Sequence, residues 1–298
     1  TFGVFDYSYE TPAIFAQLEY DFGPEVSAAL SGRWDDHSEY GGHFSPRLSL
    51  LYRPDALTLR ASWGKGFYAP TPFVEQTEAA GLARLEPLAR LDAETAETLS
   101  FDFGYSVGGL ELGLTLFGSN IDDAVRLQTA SPERVRLVNQ LGVTRTRGIE
   151  TLLRWRQTPY VVTVSYLYLD ASEPGDSMRD RRTLPLTPRH SFGVVAMWEQ
   201  HEQGRVGLEL YYTGVQSLAD NPYRSTSKPY LHVGLLGEVV LGRYRLFLNL
   251  ENLLNVRQTR EDALLHPNRR PDGGWTVDAW APLEGFIANA GIRVFLGR

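Results

Sequence analysis

The stretch Arg243-Tyr244-Arg245-Leu246-Phe247-Leu248-Asn249-Leu250-Glu251 decides the fold. Tyr244, Leu246, Leu248 and Leu250 take every second position, and Arg243, Arg245, Phe247, Asn249 and Glu251 stand between them. A period of two puts all the apolar groups on one face of a strand. The pattern recurs at Val206, Leu208, Leu210 and Tyr212, which alternate with Arg205, Gly207, Glu209 and Tyr211. A soluble β-sandwich fits poorly with Arg and Glu set so regularly against Leu and Val. A barrel in lipid accounts for it, with apolar side chains outward and polar ones toward the lumen.

Composition agrees. The chain has 298 residues, 43% apolar and 22% charged, with negative mean hydropathy. It contains no run of eighteen apolar residues, so a helical membrane protein is excluded. A transmembrane barrel needs only half of each strand apolar, and its average hydropathy stays that of a soluble protein. Cysteine is absent, which excludes a disulfide framework and thiolate metal sites. The net charge is −7, and Lys65 and Lys228 are the only lysines among 29 basic residues, a balance that argues against nucleic-acid binding. The six histidines lack H-x-H or H-x-x-x-H spacing, so neither a metal site nor a bound cofactor is expected.

Strands are expected over 13–22, 25–36, 44–53, 57–67, 95–106, 110–128, 134–156, 160–170, 190–199, 204–214, 230–241, 243–255 and 284–297. Their connections fall into two classes. Tight turns lie at Gly23-Pro24, Arg53 to Ala56, Val107 to Gly109, Gln157 to Pro159, Gln200 to Gln203 and Gly242. Longer, polar and aromatic loops span 37–43, 68–94, 129–133, 171–189, 215–229 and 256–283. The two classes alternate, as in outer-membrane barrels, whose short turns lie in the periplasm and whose long loops lie outside. The last strand then runs downward and leaves Arg298 periplasmic. Aromatics near strand ends (Trp34, Tyr52, Trp155, Tyr160, Tyr166, Tyr168, Trp198 and Tyr212) suit an interfacial girdle. Thirteen strands is odd, whereas a single-chain bacterial barrel wants an even number. Either residues 2–9 add a fourteenth strand, or the chain is the C-terminal piece of something larger. Thr1 is not a start methionine and no signal segment precedes the first strand, so a fragment or processed chain is expected.

Five segments carry a family resemblance. Gly64-Lys65-Gly66-Phe67-Tyr68-Ala69-Pro70-Thr71, followed by Glu75 and Glu78, is similar to a "G-x-G-F-x-A-P-T" strand exit. Upstream stand Arg33-Trp34-Asp35 and Ser45-Pro46-Arg47; downstream come Asn139 with Gly142 and Gly148-Ile149-Glu150, then Pro185-Leu186-Thr187-Pro188-Arg189-His190. The last is Asn249-Leu250-Glu251-Asn252-Leu253-Leu254-Asn255. In this order they resemble the C-terminal barrel of TonB-dependent outer-membrane receptors. The resemblance covers essentially all of 1–298 as one barrel domain. It implies that the strands belong to a 22-stranded barrel with an N-terminal plug, which nothing here matches. It also implies residence in the outer membrane of a Gram-negative bacterium and TonB-energised uptake of a scarce ligand, most of all a ferric siderophore. The implied partners are the TonB-ExbB-ExbD system acting through the plug, outer-membrane lipid and lipopolysaccharide, and a small metal chelate. The chain also departs from the family in lacking a terminal aromatic, since Phe295 lies three residues before the end.

The motif residues read mainly as structural. Gly64 and Gly66 allow a bulge or bend, Pro70 and Pro72 stop ladder pairing, and Asn252 and Asn255 suit a turn where pairing ends. Phe67, Thr71, Gly148 and Glu150 belong with them by the resemblance. Ligand-binding candidates lie in the long loops: Arg181 and Arg182 (with Arg179), Tyr223 and Arg224 (with Lys228 and Tyr230), and His266, Arg269, Arg270 and Trp275 (with Arg260 and Trp280). Arginine beside aromatics suits an anionic or catecholate-bearing complex through charge-assisted bonds and stacking. The bland reading is solvated loop charge, some of it on lipopolysaccharide phosphates. Inward charges such as Glu19, Arg33, Arg60, Asp102, Glu111, Glu150, Arg154, Arg245 and Glu251 are expected to pair across strands or face the plug. An enzyme is not expected, because Asp36 and His37, as neighbours in a strand, point to opposite faces. Two other readings stand beside the receptor: a passive porin-like channel of fourteen strands, and a surface adhesin or structural barrel.

Overall fold

The computed structural model describes residues 8–73, 84–131, 133–175, 180–200, 202–219, 221–270 and 274–296. Among these described residues sixteen strands run in chain order: β1 (Ala13–Asp21), β2 (Val26–His37), β3 (Gly41–Tyr52), β4 (Leu57–Tyr68), β5 (Glu94–Val107), β6 (Leu110–Asp122), β7 (Val125–Ser131), β8 (Arg134–Asn139), β9 (Thr144–Gln157), β10 (Tyr160–Pro174), β11 (Arg181–Thr183), β12 (His190–Gln200), β13 (Gly204–Thr213), β14 (Tyr230–Leu241), β15 (Tyr244–Glu251) and β16 (Ile287–Val294). Thirteen form one path of neighbours, β1-β2-β3-β4-β5-β6-β9-β10-β12-β13-β14-β15-β16, every pair antiparallel. β11 pairs only β10, and β7 with β8 makes a separate hairpin.

The opening stretch lies where its alternation puts it. Leu246 stands between Val239 and Ile292, Leu248 between Gly237 and Ala290, and Leu250 between Leu235 and Ala288. The same apolar belt crosses the sheet at Phe101, Leu116, Ile149 and Tyr168, which are consecutive partners on β5, β6, β9 and β10. These side chains are not buried: Leu18 is 65% exposed, Leu99 61% and Ile292 59%. A soluble sheet would cover them, so the belt is a lipid-facing surface. Aromatics mark its short-turn margin, where Trp155 is the partner of Val162 and Tyr160 is the partner of Trp198. The opposite face carries the row Arg60, Asp102, Thr115 and Glu150. There Thr115 donates to Asp102 at 2.8 Å, Arg33 pairs with Asp35 at 2.7 Å, and Arg154 and Arg245 approach Glu111 and Glu238 at 3.9 and 3.8 Å.

Two expected strands are each divided. In place of 110–128 and 134–156 the chain forms β6 and β7, then β8 and β9, and residues 129–131 of the expected loop 129–133 belong to β7. The breaks fall at Asp123 and Gly142, both with positive φ (56° and 96°). Asn139 ties the bend together, donating to the carbonyls of Asp92 and Asp123 and accepting from the Asp92 N–H. Gly64 and Gly66 make no bulge, since β4 keeps register with β5 through Tyr68. Instead, β3–β4 pairing ends at Arg47 and Gly64, beside Pro46, which has no N–H to give. Beyond that point His43 stacks on Phe67 at 4.2 Å. Asn252 and Asn255 both have positive φ and end β15; Asn252 donates to the Val256 and Glu284 carbonyls, and Asn255 accepts from the Phe286 N–H.

β1 and β16 are each paired on one side only among the described residues. Of the alternative strand at 2–9, residues 2–7 lie outside the described residues, as do Glu75, Glu78 and Arg179. Glu10 and Pro12 continue the β1–β2 ladder by accepting from Ser38 and Asp36.

On the polar face, Phe117 and Phe247 each stand opposite a glycine of the neighbouring strand. Phe117 lies over Gly148, where an added Cβ would also sit 2.8 Å from the Tyr168 carbonyl oxygen; on Gly291 it would lie 2.6 Å from Phe247 Cε1. Gly237, on the lipid face, has open space around it. Gly148→Val is therefore expected to destabilise the barrel by about 1–3 kcal/mol through overpacking, and Gly237→Ala to change little. Heat-modifiable migration of the full receptor on gels against temperature checks both; equal midpoints would remove the packing role of Gly148.

Candidate ligand site at the long-loop end

Buried apolar groups gather at the long-loop end rather than within the sheet. In one cluster Leu85, Leu91, Val135 and Leu137 pack under the β7–β8 hairpin, with Tyr40, Leu88, Val125 and Leu127 against them. Backbone pairing fastens the loop after β4 to this hairpin, with Glu86 N–H donating to the Val135 carbonyl at 2.8 Å. Pro70 and Pro72 are fully buried beside it, and Tyr40 donates to the Pro70 carbonyl at 2.7 Å. Burial, with Tyr9 adding to it, pushes the Tyr40 hydroxyl well above its ordinary pKa, so it stays a donor. The second cluster is Leu218, Trp280 and Ala281, with Tyr230 against it. Gln258, fully buried, donates to the Asp278 carbonyl and accepts from the Trp280 N–H, and Gln216 donates to the Trp280 carbonyl.

Between the clusters opens a cleft of about 630 Å³ lined by Arg126 and Gln128 of β7, Thr144 of β9, Glu173 of β10, Arg182 of β11 and Arg270 of the loop before β16. Arg182 is held by Glu173 at 2.6 Å. Thr144 is 7% exposed, and its hydroxyl has no hydrogen-bond partner among the described residues. A buried hydroxyl without a partner costs stability unless something else bonds it.

The eight loop residues singled out from sequence divide. Arg182 and Arg270 line the cleft. Arg181 instead donates to Ser172 Oγ, the Ser172 carbonyl and the Val143 carbonyl. Arg224 is held by Asp262 at 2.7 Å, under the Trp280 ring at 5.3 Å, and Asp262 also accepts from Trp280 Nε1. Tyr223 donates to the Leu265 carbonyl at 2.5 Å. His266, Arg269 and Trp275 stand together, the His266 N–H on the Trp275 carbonyl and the Arg269 guanidinium 4.9 Å from the Trp275 ring. Lys228 bonds Glu261. Arg126, Gln128, Thr144 and Glu173 were missed, and the signal for them was the pair of turn formers Asp123 and Gly142 that expose this hairpin. At the other rim residues, Asp35 is taken by Arg33, and His37 Nδ1 accepts from the Glu39 and Tyr40 N–H groups.

The barrel family of TonB dependent receptors matches residues 2–253. The chain belongs to that family. An "Iron-regulated outer membrane virulence protein" of Vibrio cholerae serotype O1 is 28% identical over 220 residues, 67% of this chain and 33% of that protein. Among solved structures, a mutant of the ferric enterobactin receptor PfeA of Pseudomonas aeruginosa superposes with a TM-score of 0.73 at 16% identity over 95% of this chain and 45% of that one. The siderophore receptor PirA of Acinetobacter baumannii gives 0.71 at 15% identity, over 96% and 46%. This chain thus spans about a third of the curated relative and under half of the solved receptors. The thirteen-strand path is an arc of a TonB-dependent receptor barrel, an outer-membrane fold of Gram-negative bacteria.

The Arg224–Asp262–Trp280 group joins the two last long loops. Asp262→Ala is expected to leave Arg224 only the longer contact to Glu261, at 3.8 Å, and to cost about 1–3 kcal/mol locally through the lost charge-assisted bonds. Limited proteolysis should then cut within 215–229 and 256–283 faster, while the barrel's melting is unchanged; unaltered cleavage would show that the pair does not hold the loops.

Proposed function

We propose that this chain forms the ligand-binding half of a TonB-energised receptor that captures an anionic ferric siderophore at its long-loop end, taken to be extracellular. The observation that supports this reading best is the cleft itself. Arg126, Arg182 and Arg270 come to it from three separate segments, and among the described residues they meet one carboxylate, Glu173, and a hydroxyl without a partner, Thr144. A multiply charged chelate would take charge-assisted bonds from the guanidinium groups and one from Thr144. Arg269 over Trp275 offers a second, stacking contact nearer the rim. Among the described residues β1 and β16 each keep one unpaired edge, which lipid would not tolerate, and further strands, to 22 by the family pattern, would close them. The polar inner face then meets a plug, through which TonB with ExbB and ExbD would release the ligand inward. The names of the relatives, with iron regulation, ferric enterobactin and siderophores among them, favour a ferric chelate.

The test uses the full-length receptor. Binding of ferric enterobactin, a tris-catecholate probe, is measured by tryptophan quenching, and iron uptake is followed in cells with and without functional TonB. Arg126→Ala with Arg270→Ala is expected to weaken binding about tenfold or more, and uptake should need TonB. Affinity unchanged in the double variant would remove the cleft as the site, and uptake independent of TonB would remove the energised mechanism.

A further inference from the structure

The lipid-facing side of the same strands carries a group of arginines that the cleft does not use. Alternation places Arg145 and Arg147 of β9 outward, because Thr144 and Thr146 face the lumen with Ile121 and Ser119. Both arginines are exposed, and neither has an ion pair or side-chain hydrogen bond among the described residues. The carboxylates in their own rows are already taken. Glu97 pairs with Lys65 at 3.5 Å and accepts from Trp63, and Asp170, opposite Arg147, pairs with Arg189 at 3.3 Å. Asp122 stands one row higher and makes no ion pair among the described residues. Arg181 adds a further cation, bonded only to neutral oxygens of Ser172 and Val143, and Ser172 is the partner of Arg145.

The height of this group fits an interface. Arg147 lies eight residues up β9 from Trp155, about 20 Å along the membrane normal for a tilted strand. That is near the top of an apolar band about 25 Å tall. An arginine is costly at the bilayer centre and cheap at its margin. Beside Arg147, Gly118 leaves a gap in the outward row, between Leu99 and Arg147. The gap opens a groove of about 480 Å³, almost wholly apolar, walled by Leu99, Phe101, Leu116, Ile149 and Tyr168, with Arg147 at its head.

We propose that this groove and its arginines bind one lipopolysaccharide molecule, an acyl chain lying in the groove and a lipid A phosphate held by Arg145 and Arg147. Two arginines rooted about 7 Å apart along one strand face have the reach to grip a phosphate from both sides. A neutral lipid would leave both charges uncompensated, and a free phosphate would leave the groove empty. The site rests on the orientation proposed above, which puts this end of the sheet in the outer leaflet, where lipopolysaccharide is found.

The experiment uses full-length receptor, stripped of lipid in detergent and titrated with purified lipopolysaccharide and with lipopolysaccharide whose lipid A phosphates have been removed. Native mass spectrometry reads bound lipid, and heat-modifiable migration confirms folding. The wild type is expected to bind the phosphorylated lipid about tenfold or more tightly than the dephosphorylated one. Arg145→Gln with Arg147→Gln should lose that preference, and replacement of both by lysine should restore most of it. Gly118→Leu, whose Cβ would meet Arg147 Cγ at an ordinary 3.7 Å, should weaken binding of both lipids by filling the groove. Ferric enterobactin affinity should stay unchanged in every variant. Equal affinity of the wild type for the two lipids, or of the double glutamine variant and the wild type for lipopolysaccharide, would overturn the site. Labelling of a cysteine placed in loop 256–283 on intact cells separates the two readings. Unlabelled loops would overturn the orientation and the lipid site together, whereas labelled loops with unchanged lipid binding would overturn this site alone.

Discussion

Backbone hydrogen bonding in a medium without water is the constraint on which everything else in this molecule depends. Each N–H and C=O within the apolar band must find a partner in the chain, and a continuous antiparallel ladder supplies one. Long strands with tight turns at one end follow from that requirement. The strict alternation follows too, since a strand between lipid and lumen must present a different chemistry on each face. The glycines beneath Phe117 and Phe247 belong to the same logic. A ring projecting into the lumen needs lateral room, and the neighbouring strand yields it where it has no side chain.

Once the ladder rises past the apolar band the constraint relaxes, and the structure changes character. The chain leaves the sheet at Asp123 and returns at Gly142, and the excursion builds a hairpin with a small core of its own. Charge is then spent on fixing loops as much as on display. Arg224, Lys228 and Arg181 are occupied by Asp262, by Glu261 and by backbone carbonyls. The cleft lies between two such stiffened groups, so its arginines are held on framework rather than on free loops, which lowers the ordering cost of gripping a ligand.

The strand path was legible because period two, tight turns and loop length all pointed the same way. Thirteen strands were expected and the main path has thirteen. The β7–β8 hairpin was not legible from alternation, because Val125 and Leu127 against Arg126 and Gln128 continue the same period beyond the membrane. Only the turn formers Asp123 and Gly142 mark the break, and a single residue with positive φ is a weak signal among many aspartates and glycines. The cleft was half legible. Arginine in a long loop is visible in sequence, but whether it meets Asp262, a carbonyl or open space depends on contacts dozens of residues apart, as between Arg224 and Asp262.

Strand β9 gathers these arguments into one element. Its residues alternate between two environments at the same height: Thr144 faces the cleft with an unsatisfied hydroxyl, and Arg145 faces the lipid with an unsatisfied charge. A helix could not divide one site from another within a single residue step, but a strand does so by geometry alone. The same step forbids any one-residue slip of β9. A slip would turn Arg145 and Arg147 into the lumen and put Thr144, Thr146 and Gly148 against lipid, and it would part the Phe117 ring from the glycine it covers. The register of this strand is therefore set three times over, by the ladder, by the packing of Gly148 under Phe117 and by the sorting of charge between lumen and lipid.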